Sequence, residues 1–417
     1  MLGASSVAQA TTESVIYNFV GDFGSNHDGQ NPYGEILAGP NGVYYGTTSG
    51  GGDMTCEAGG GWFTGCGTVY MLSRGPSGWV EKPILTFHGP NGAVATGNLV
   101  MDARGNLYGT TVEGGSQMCP YGCGTVYQLS PPVTPEGQWT QTVIYYFLGS
   151  HLDAPDGWQP SAGLYMDGTG NLFGTTALGG QYGCFSGSGC GMVFELTPSG
   201  HGTWTKSTVY MFRGGDDGSQ PYARLIARRG VLYGTTWGGN GGRSTVFSLT
   251  NIGGWNKRTL HIFTGGINDG DQSRAALYMD VQGNLFGTTE TGGLSNNGTV
   301  FELSATGAIW IETILHSFNG ASDGRIPLAG LTLGPNGLLY GTTDGGGQYG
   351  LGTVFTLTFS NGQWVENVLY SFGSGSDAAE PFAGVTVLPS GSVLGTTLFG
   401  GSGNCVYSPC GTVYEIQ

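Results

Sequence analysis

Three acidic residues follow a repeated strand and could take part in acid–base chemistry. Glu290 and Asp344 each stand directly after a Gly-Thr-Thr triplet, and Glu113 follows another triplet one place later. Two carboxyl groups about 5–9 Å apart can hydrolyse a glycosidic bond, one as the acid and the other as nucleophile or base. If adjacent repeats bring Glu290 and Asp344 together, they are candidates for this reaction. The alternative is that all three are solvated carboxylates at the rim of the molecule.

Aromatic and histidine side chains that occur in a single repeat are the candidates for ligand binding. A residue present once has no structural role that all repeats share, so it is a better functional candidate than a repeated one. The flat apolar faces of tryptophan and tyrosine suit stacking on sugar rings. The predicted ligand-binding residues are Trp158, Trp237, Tyr182, His27 and His151.

An Asp-Gly pair recurs in the segments that join successive repeats. Ca²⁺ takes six to eight oxygen ligands, so carboxylates gathered on one face are candidates for a calcium site, and calcium is the one cofactor that the sequence suggests. One alternative is structural, because an aspartate before glycine accepts hydrogen bonds from the amides of its own turn, and another is direct contact with a substrate. The aspartates are Asp28, Asp156, Asp217, Asp269 and Asp323, with Asp377-Ala378 as a variant.

The eight cysteines form four close pairs, each inside one loop of one repeat. A structural zinc ion needs about four nitrogen or sulfur ligands, whereas each loop offers two cysteines without a neighbouring histidine. We therefore expect disulfides, which form in oxidising compartments, with zinc binding and free thiols as the alternatives. The predicted pairs are Cys56–Cys66, Cys119–Cys123, Cys184–Cys190 and Cys405–Cys410.

The charge balance limits the possible partners. The net charge is −15, and the 13 lysines and arginines form no basic run. Binding to nucleic acid requires clustered basic residues, and a spanning helix requires about 18 consecutive apolar residues. We therefore expect neither nucleic-acid binding nor membrane insertion, and a glycan or a surface protein is the compatible partner.

These candidate residues lie in a repeated unit, and each copy of the unit contains a Gly-Thr-Thr triplet. Successive triplets lie 63, 65, 60, 53, 54 and 54 residues apart, and each unit reads as four short strands with period-two alternation. A period of this size is typical of a propeller or another closed array. The seven triplets begin at Gly46, Gly109, Gly174, Gly234, Gly287, Gly341 and Gly395.

The two ends of the chain complement each other. The last unit stops after a third strand, Gly411–Gln417, and the sequence opens on an unpaired fourth strand, Ser14–Phe19. We therefore predict an all-β fold, a seven-bladed β-propeller with four antiparallel strands per blade, closed by the N-terminal strand. Residues 11–417 would form this single domain, most simply as a monomer. Residues 1–10 would be the remainder of an export signal or an artificial terminus, because Val7-Ala8-Gln9-Ala10 resembles a secretory cleavage site.

The compound motif resembles a known family. Repeats that read Gly-x-Leu-Tyr/Phe-Gly-Thr-Thr, then Gly-Gly and Gly-Thr-Val-Phe, are similar to those of the GloVer tandem-repeat proteins, which are secreted bacterial chains. The resemblance covers all seven units and implies export and a surface or extracellular role. It assigns no catalytic residues. Three positions depart from the pattern: Met192, Ser244 and Leu394.

Loop lengths indicate which face of the propeller carries function. The segments between Gly-Thr-Thr and Gly-Thr-Val contain 18, 12, 14, 7, 8, 8 and 13 residues, and the four long ones hold the cysteine pairs. Around a closed ring these four are neighbours. The expected function is binding of a glycan or protein partner on this face, by a secreted, periplasmic or cell-surface protein. The alternative is a carbohydrate-active hydrolase or lyase whose acidic residues lie on the same face.

Overall fold

Short segments rich in threonine, valine and aromatic residues, bounded by glycine turns, form the strands of the protein. In the computed structural model they assemble into seven antiparallel sheets of four or five strands, the blades of a β-propeller, which confirms the predicted fold class. The structure describes residues 11–21, 28–56, 64–134, 137–151, 154–180, 183–184, 187–200, 202–239, 242–373, 377–403, 405 and 410–417. The predicted terminus 1–10 and the candidates His27 and Tyr182 lie outside these residues.

Each blade runs from an innermost strand A, beside the axis, to an outermost strand D. Blade 1 consists of Gln30–Pro32 and Leu37–Ala38, Tyr44–Gly50, Thr68–Gly75 and Gly78–Thr86. Blades 2 and 3 consist of Val100–Met101, Leu107–Thr111, Thr125–Ser130 and Thr140–Tyr146, and of Tyr165–Met166, Leu172–Thr176, Met192–Gly200 and Thr203–Met211. Blades 4 and 5 consist of Ile226–Arg228, Val231–Thr236, Thr245–Asn251 and Trp255–Ile262, and of Tyr278–Met279, Leu285–Thr289, Thr299–Thr306 and Ile309–Ser317. Blades 6 and 7 consist of Thr332–Leu333, Leu339–Thr343, Thr353–Ser360 and Gln363–Ser371, and of Thr386–Val387, Val393–Thr397, Thr412–Ile416 and Glu13–Asn18.

Short ladders lie at the strand ends. They pair Ser150–His151 with Ala154–Pro155, Gly157–Trp158 with Leu178–Gly179, Gly270–Asp271 with Thr291–Gly292, and Ala378–Ala379 with Phe399–Gly400. A 3-10 turn spans Pro40–Gly42. Within the part of the chain that the structure describes, no helix has the length and apolar character needed to cross a membrane.

The ring closes through the two ends of the chain. Glu13–Asn18 pairs antiparallel with Thr412–Ile416, and Ser14 stands opposite Glu415. The N-terminal strand is thus strand D of blade 7, as the sequence predicts. Because the two strands pair with each other, neither offers an unpaired edge along this ladder to another chain.

The glycine of each triplet makes room for an aromatic ring of the same blade. Gly174 in strand B stands opposite Phe194 in strand C, and a Cβ atom at Gly174 would lie 2.4 Å from the Cζ atom of that ring. Gly46 and Tyr70 repeat this arrangement in blade 1. The aromatic rings therefore fill the core where strands B carry no side chain.

In most blades the two threonines of the triplet have different partners. The exceptions are Thr47, whose hydroxyl has no partner, and Thr176, which stands opposite Met192. The hydroxyl of Thr110 donates to the carbonyl oxygen of Ala162 in the next blade, at 2.8 Å. The hydroxyl of Thr111 lies 2.8 Å from that of Thr125 in strand C of its own blade. Buried hydroxyls need hydrogen-bond partners, so the first threonine joins two blades and the second joins two strands.

The segment that leads into the innermost strand of each blade contains a residue with left-handed backbone that is not glycine; in blade 1 this residue, Asn31, lies within Gln30–Pro32. Such a residue costs free energy, most of all when it is β-branched, so it persists only where its surroundings fix it. Gln220 shows how: its N–H donates to Cys190 of the preceding blade at 2.8 Å, and its carbonyl accepts from Trp237 at 3.0 Å. The seven residues, with φ between 55° and 60°, are Asn31, Val94, Gln159, Gln220, Gln272, Ile326 and Glu380.

The cysteines pair as predicted. The Cα atoms of the four bridges are 5.6, 5.1, 5.0 and 5.2 Å apart for Cys56–Cys66, Cys119–Cys123, Cys184–Cys190 and Cys405–Cys410. The second cysteine of each pair closely precedes strand C, and its carbonyl accepts a hydrogen bond from the next blade. The bond from Val94 to Cys66 is 2.9 Å long. Each disulfide therefore fixes its B–C loop at the boundary with the adjacent blade.

Six of the seven boundaries between blades carry a set of three interacting side chains that we term a seam trio. It comprises a tyrosine or histidine of strand D, the aspartate of the following D–A loop, and a charged residue of strand D in the next blade. The trios are Tyr17/Asp28/Glu81, Tyr145/Asp156/Lys206, Tyr210/Asp217/Lys257, His261/Asp269/Glu312, His316/Asp323/Glu366 and Tyr370/Asp377/Glu13. At the remaining boundary Asn91 bonds Gln141.

Candidate functional site

A cavity of about 350 Å³ lies on the propeller axis, and the segments at the start of strand A in all seven blades contribute to its wall. Two residues after each left-handed position, one side chain lines this cavity. These seven residues are Tyr33, Thr96, Ser161, Tyr222, Arg274, Leu328 and Phe382. A strand advances about 6.6 Å over two residues, so the next layer of the wall is deeper and includes Glu35 and Arg224.

Arg274 is the centre of a charged and aromatic cluster on blades 4 and 5. Its Nε atom lies 2.5 Å from Oε1 of Glu290, and 30% of the arginine side chain but only 11% of the glutamate side chain is exposed. The guanidinium carbon stands 4.5 Å from the ring centroid of Trp237 and 5.0 Å from that of Tyr222. The two rings meet edge to face at 6.1 Å. This packing fixes the arginine while keeping part of it accessible.

The carboxyl groups around this cluster have raised pKa values. Burial raises the pKa of Glu290, the positive charge of Arg274 opposes that shift, and the negative charge of Asp344 adds to it. Burial, with the nearby charge of Glu380, raises the pKa of Asp344 to about 6, although Arg325 opposes the shift. Glu290 and Asp344 therefore interact electrostatically, as their positions in adjacent blades suggest. Strongly perturbed carboxyl groups in a cleft are typical of functional sites.

Two further aromatic rings flank the cavity on the side of blades 7 and 1. The rings of Tyr33 and Phe382 are tilted at 45°, with their centroids 4.4 Å apart. Burial raises the pKa of Tyr33, and the charge of Arg274 opposes this shift, so the tyrosine lies within electrostatic reach of the arginine cluster. The cavity thus presents aromatic surface on two sides.

Two side chains of opposite charge lie deeper in the channel. Burial raises the pKa of Glu35, and the charge of Arg224 across the channel opposes that rise. The backbone N–H of Glu35 donates to the side-chain oxygen of Asn98, at 3.0 Å. The channel wall is therefore polar below the aromatic layer.

The repeat pattern of the sequence identifies the family. A family model matches two overlapping segments, residues 54–265 and 182–414, which together cover most of the chain. The protein belongs to the Gloeobacter/Verrucomicrobia repeat family. This confirms the resemblance drawn from the Gly-Thr-Thr repeats. No curated protein matches the sequence.

Solved structures similar to this Gloeobacter/Verrucomicrobia repeat protein share little sequence with it. A protein of unknown function from Dyadobacter fermentans is 11% identical, with 98% of each chain covered and a TM-score of 0.46. An ulvan lyase, from a new family of polysaccharide lyases, is 10% identical, with 94% of each chain covered and a TM-score of 0.47. A sialidase of Trypanosoma rangeli is 11% identical, with 86% of this chain and 59% of that chain covered and a TM-score of 0.46.

The structure brings some of the predicted site residues of this repeat protein to the channel. Trp237, Glu290 and Asp344 belong to the arginine cluster or interact with it, and Glu113 lines the cavity from blade 2. Trp158 instead packs, partly buried, against a hydrophobic cluster at blades 2 and 3. Of His151 the structure describes the backbone only, in the ladder Ser150–His151.

The Asp-Gly aspartates each accept hydrogen bonds from the backbone of their own loop, as the turn-forming interpretation predicts. Asp217 accepts from the N–H of Arg213 at 2.9 Å, and Asp323 from that of Asn319 at 3.1 Å. In the described ranges, Asp269 alone among these aspartates belongs to a group of three potential metal-ligating side chains. Calcium binding by the whole set stays a prediction.

Four large residues of the cavity wall were not predicted from the sequence: Tyr33, Tyr222, Arg274 and Phe382. They occupy one repeat position, two residues after the left-handed residue, where the other blades carry Thr96, Ser161 and Leu328. The signal was a position whose residue type changes from repeat to repeat while its neighbours stay small. Variation at one position of a repeated strand, in an otherwise regular array, marks the surface that has been specialised.

Proposed function

We propose that this protein binds a carbohydrate at the mouth of its central channel, on the face that carries the disulfide-linked loops. The observation that supports this function is the cluster of Arg274 and Glu290 with Tyr222 and Trp237, opposite the Tyr33–Phe382 pair, around one cavity. Binding pockets for small ligands typically measure about 300–1,000 Å³, so a cavity of about 350 Å³ suits a short segment of a glycan.

The chemistry of the wall fits a sugar better than it fits an apolar ligand. Aromatic faces pack on the C–H faces of sugar rings, and charged groups bond to hydroxyls. A guanidinium has five N–H donors, and the Nε side of Arg274 faces Glu290 in an ion pair, so we expect a ligand to engage the donors on the two Nη atoms. Because the ion pair and the two rings already fix the arginine, binding loses little side-chain entropy.

A glycan array followed by calorimetry with the best saccharide tests this function. Arg274→Ala and Tyr33→Ala should each weaken binding about tenfold or more, equivalent to ~1.4 kcal/mol. Phe359→Ala is the matched control, because this exposed aromatic residue lies near the end of strand C, on the opposite face. An array without any bound saccharide, or equal affinity of the Arg274→Ala protein and the wild type, would contradict the proposal.

The second candidate function is a hydrolase or lyase at the same site. The observation in its favour is Asp344, whose pKa of about 6 suits an acid that donates a proton near neutral pH. Asp344→Asn and Glu290→Gln should then abolish release of new saccharide ends while saccharide binding persists. If the wild-type protein releases no product from any saccharide that it binds, the site is a binding site only.

We also propose that the protein works outside the cytoplasm, in a secreted, periplasmic or cell-surface location. The four disulfides support this, because such bonds persist in oxidising compartments. Fractionation of cells that express the full-length protein, with thiol labelling of each fraction, tests the proposal. A protein found in the cytoplasm with reactive thiols would contradict it.

A further inference from the structure

Two of the six seam trios hold a cation beside the aspartate, whereas the third residue of the other four is a glutamate. In these two the cation is a lysine: Nζ of Lys206 lies 2.7 Å from Asp156, and Nζ of Lys257 lies 2.9 Å from Asp217. Both ammonium groups are nearly buried, with 10% and 3% of the lysine side chains exposed. At these two boundaries the seam therefore accommodates a positive charge that the loop aspartate neutralises.

The trio between blades 4 and 5 offers metal ligands in place of a lysine. His261, Asp269 and Glu312 each contribute one ligand atom, and the three atoms lie within 4.8 Å of one another. In the described part of the chain, this is the one group of three or more such side chains with that spacing. The glutamate side chain is 9% exposed, so this end of the trio is largely shielded from water. Its Oε1 atom has no hydrogen-bond partner, which is also true of Glu13, Glu81 and Glu366 in the other glutamate seams. The spacing of the three ligand atoms is therefore what distinguishes this seam.

We propose that His261, Asp269 and Glu312 bind one divalent transition-metal ion of the zinc type. Nε2 of His261 lies 3.3 Å from Oδ1 of Asp269 and 3.6 Å from Oε2 of Glu312. A tetrahedral ion with bonds of about 2.0–2.1 Å places its ligands about 3.3–3.4 Å apart, so small side-chain adjustments complete the geometry. Solvent supplies the fourth ligand.

The surroundings orient the aspartate for this role. Its Oδ2 atom accepts hydrogen bonds from the backbone and the hydroxyl of Thr264, at 2.8 and 2.6 Å, so Oδ1 is directed toward the histidine. Metal-ligating carboxylates are commonly held by such second contacts. One imidazole with two carboxylates favours Zn²⁺ or a neighbouring transition metal over Ca²⁺, which prefers oxygen ligands alone.

The competing explanation is a proton in place of the metal. A protonated His261 would donate to one carboxylate and attract the other, and the trio would then be a purely structural ion pair. The two explanations differ in one measurable property, because the structural ion pair takes up no metal ion at neutral pH.

Residue types that occupy the same positions in other seams can replace the proposed ligands. Because these residue types already fit a seam of this protein, we expect the variants to fold. His261→Tyr installs the residue of the tyrosine seams, where the hydroxyl of Tyr210 donates to Asp217 at 2.9 Å. Glu312→Lys installs the residue of the lysine seams. His316→Tyr is the matched control, because it makes the same change in the adjacent seam, whose trio does not meet the 4.8 Å spacing.

The measurement is calorimetric titration of the chelator-treated, full-length protein with ZnCl₂, together with its thermal unfolding with and without the ion. We expect one equivalent of zinc to bind the wild type and the His316→Tyr variant, and to raise their unfolding temperature. His261→Tyr and Glu312→Lys should weaken binding about 100-fold or more, since even second-contact substitutions cost ~10–100-fold. A wild type that binds no zinc, or a His261→Tyr variant that binds it equally, would overturn the proposal and support the protonated ion pair.

Discussion

Replacement of Glu81 by glutamine should remove a dependence of stability on pH. Glu81 belongs to the seam trio between blades 7 and 1, where the hydroxyl of Tyr17 donates to Asp28 at 2.6 Å and lies 3.4 Å from Glu81. Burial, and then the negative charge of Asp28, raises the pKa of Glu81 from 4.5 to about 8. Gln141 occupies the same position in blade 2 and bonds Asn91, so an amide fits there.

The sign of the effect follows from proton linkage. Because the pKa of Glu81 is higher in the folded than in the unfolded protein, the folded state binds the proton more tightly. The stabilisation is complete below pH 4.5, declines as the pH rises, and is lost above pH 8. One pKa unit is equivalent to ~1.36 kcal/mol, so a pKa difference of about 3.5 corresponds to at most ~5 kcal/mol in the free energy of unfolding. Glu81 keeps part of its contact with water, so we expect about 1–2 kcal/mol.

Calorimetric unfolding of both proteins at pH 5.5 and pH 8.5 measures this effect. Unfolding entropy is about 2.1 cal/mol/K per residue, or ~0.9 kcal/mol/K for this chain, so the expected effect is ~1–2 °C. From pH 5.5 to pH 8.5, the unfolding temperature of the Glu81→Gln protein should change by ~1–2 °C less in the destabilising direction than that of the wild type. Equal losses in the two proteins would refute the account of Glu81 as a buried, repelled carboxyl group.

Two further substitutions and one deletion test the architecture. Gly174→Ala should cost about 2–4 kcal/mol in urea unfolding, because the new methyl group overlaps the ring of Phe194; full stability would show that the ring can move aside. Thr342→Val should cost about 1–2 kcal/mol in the same assay, because the carbonyl of Ala383 loses its donor at 2.9 Å; no loss would argue against a role in joining the blades. Deletion of residues 11–18 removes strand D of blade 7, so blade 7 should exchange its amide hydrogens much faster than blade 4; equal protection would mean that closure does not stabilise the ring.

The arrangement of the candidate site was only partly predictable. Trp237, Glu290 and Asp344 were found because they follow a triplet that fixes their position in the blade. Arg274 was not, because it lies before strand A, away from the triplet, and only the change of residue type from repeat to repeat marks its position. Its importance depends on Glu290, 16 residues away in sequence, and on Tyr222 of the preceding blade.

The sequence by itself determined the number of blades, the strand order within each blade, the closure of the ring and the disulfide pairing. These features depend on contacts that are local or that recur with the repeat, so one pattern specifies them all. The tertiary structure decided which side chains meet on the axis and at the seams. Left-handed residues such as Val94 and Ile326 break the in-and-out alternation of side chains along the strand, and no glycine in the sequence marks these positions. This break decides which of the following side chains face the channel. Those side chains come from different blades, and only the closed ring brings them together.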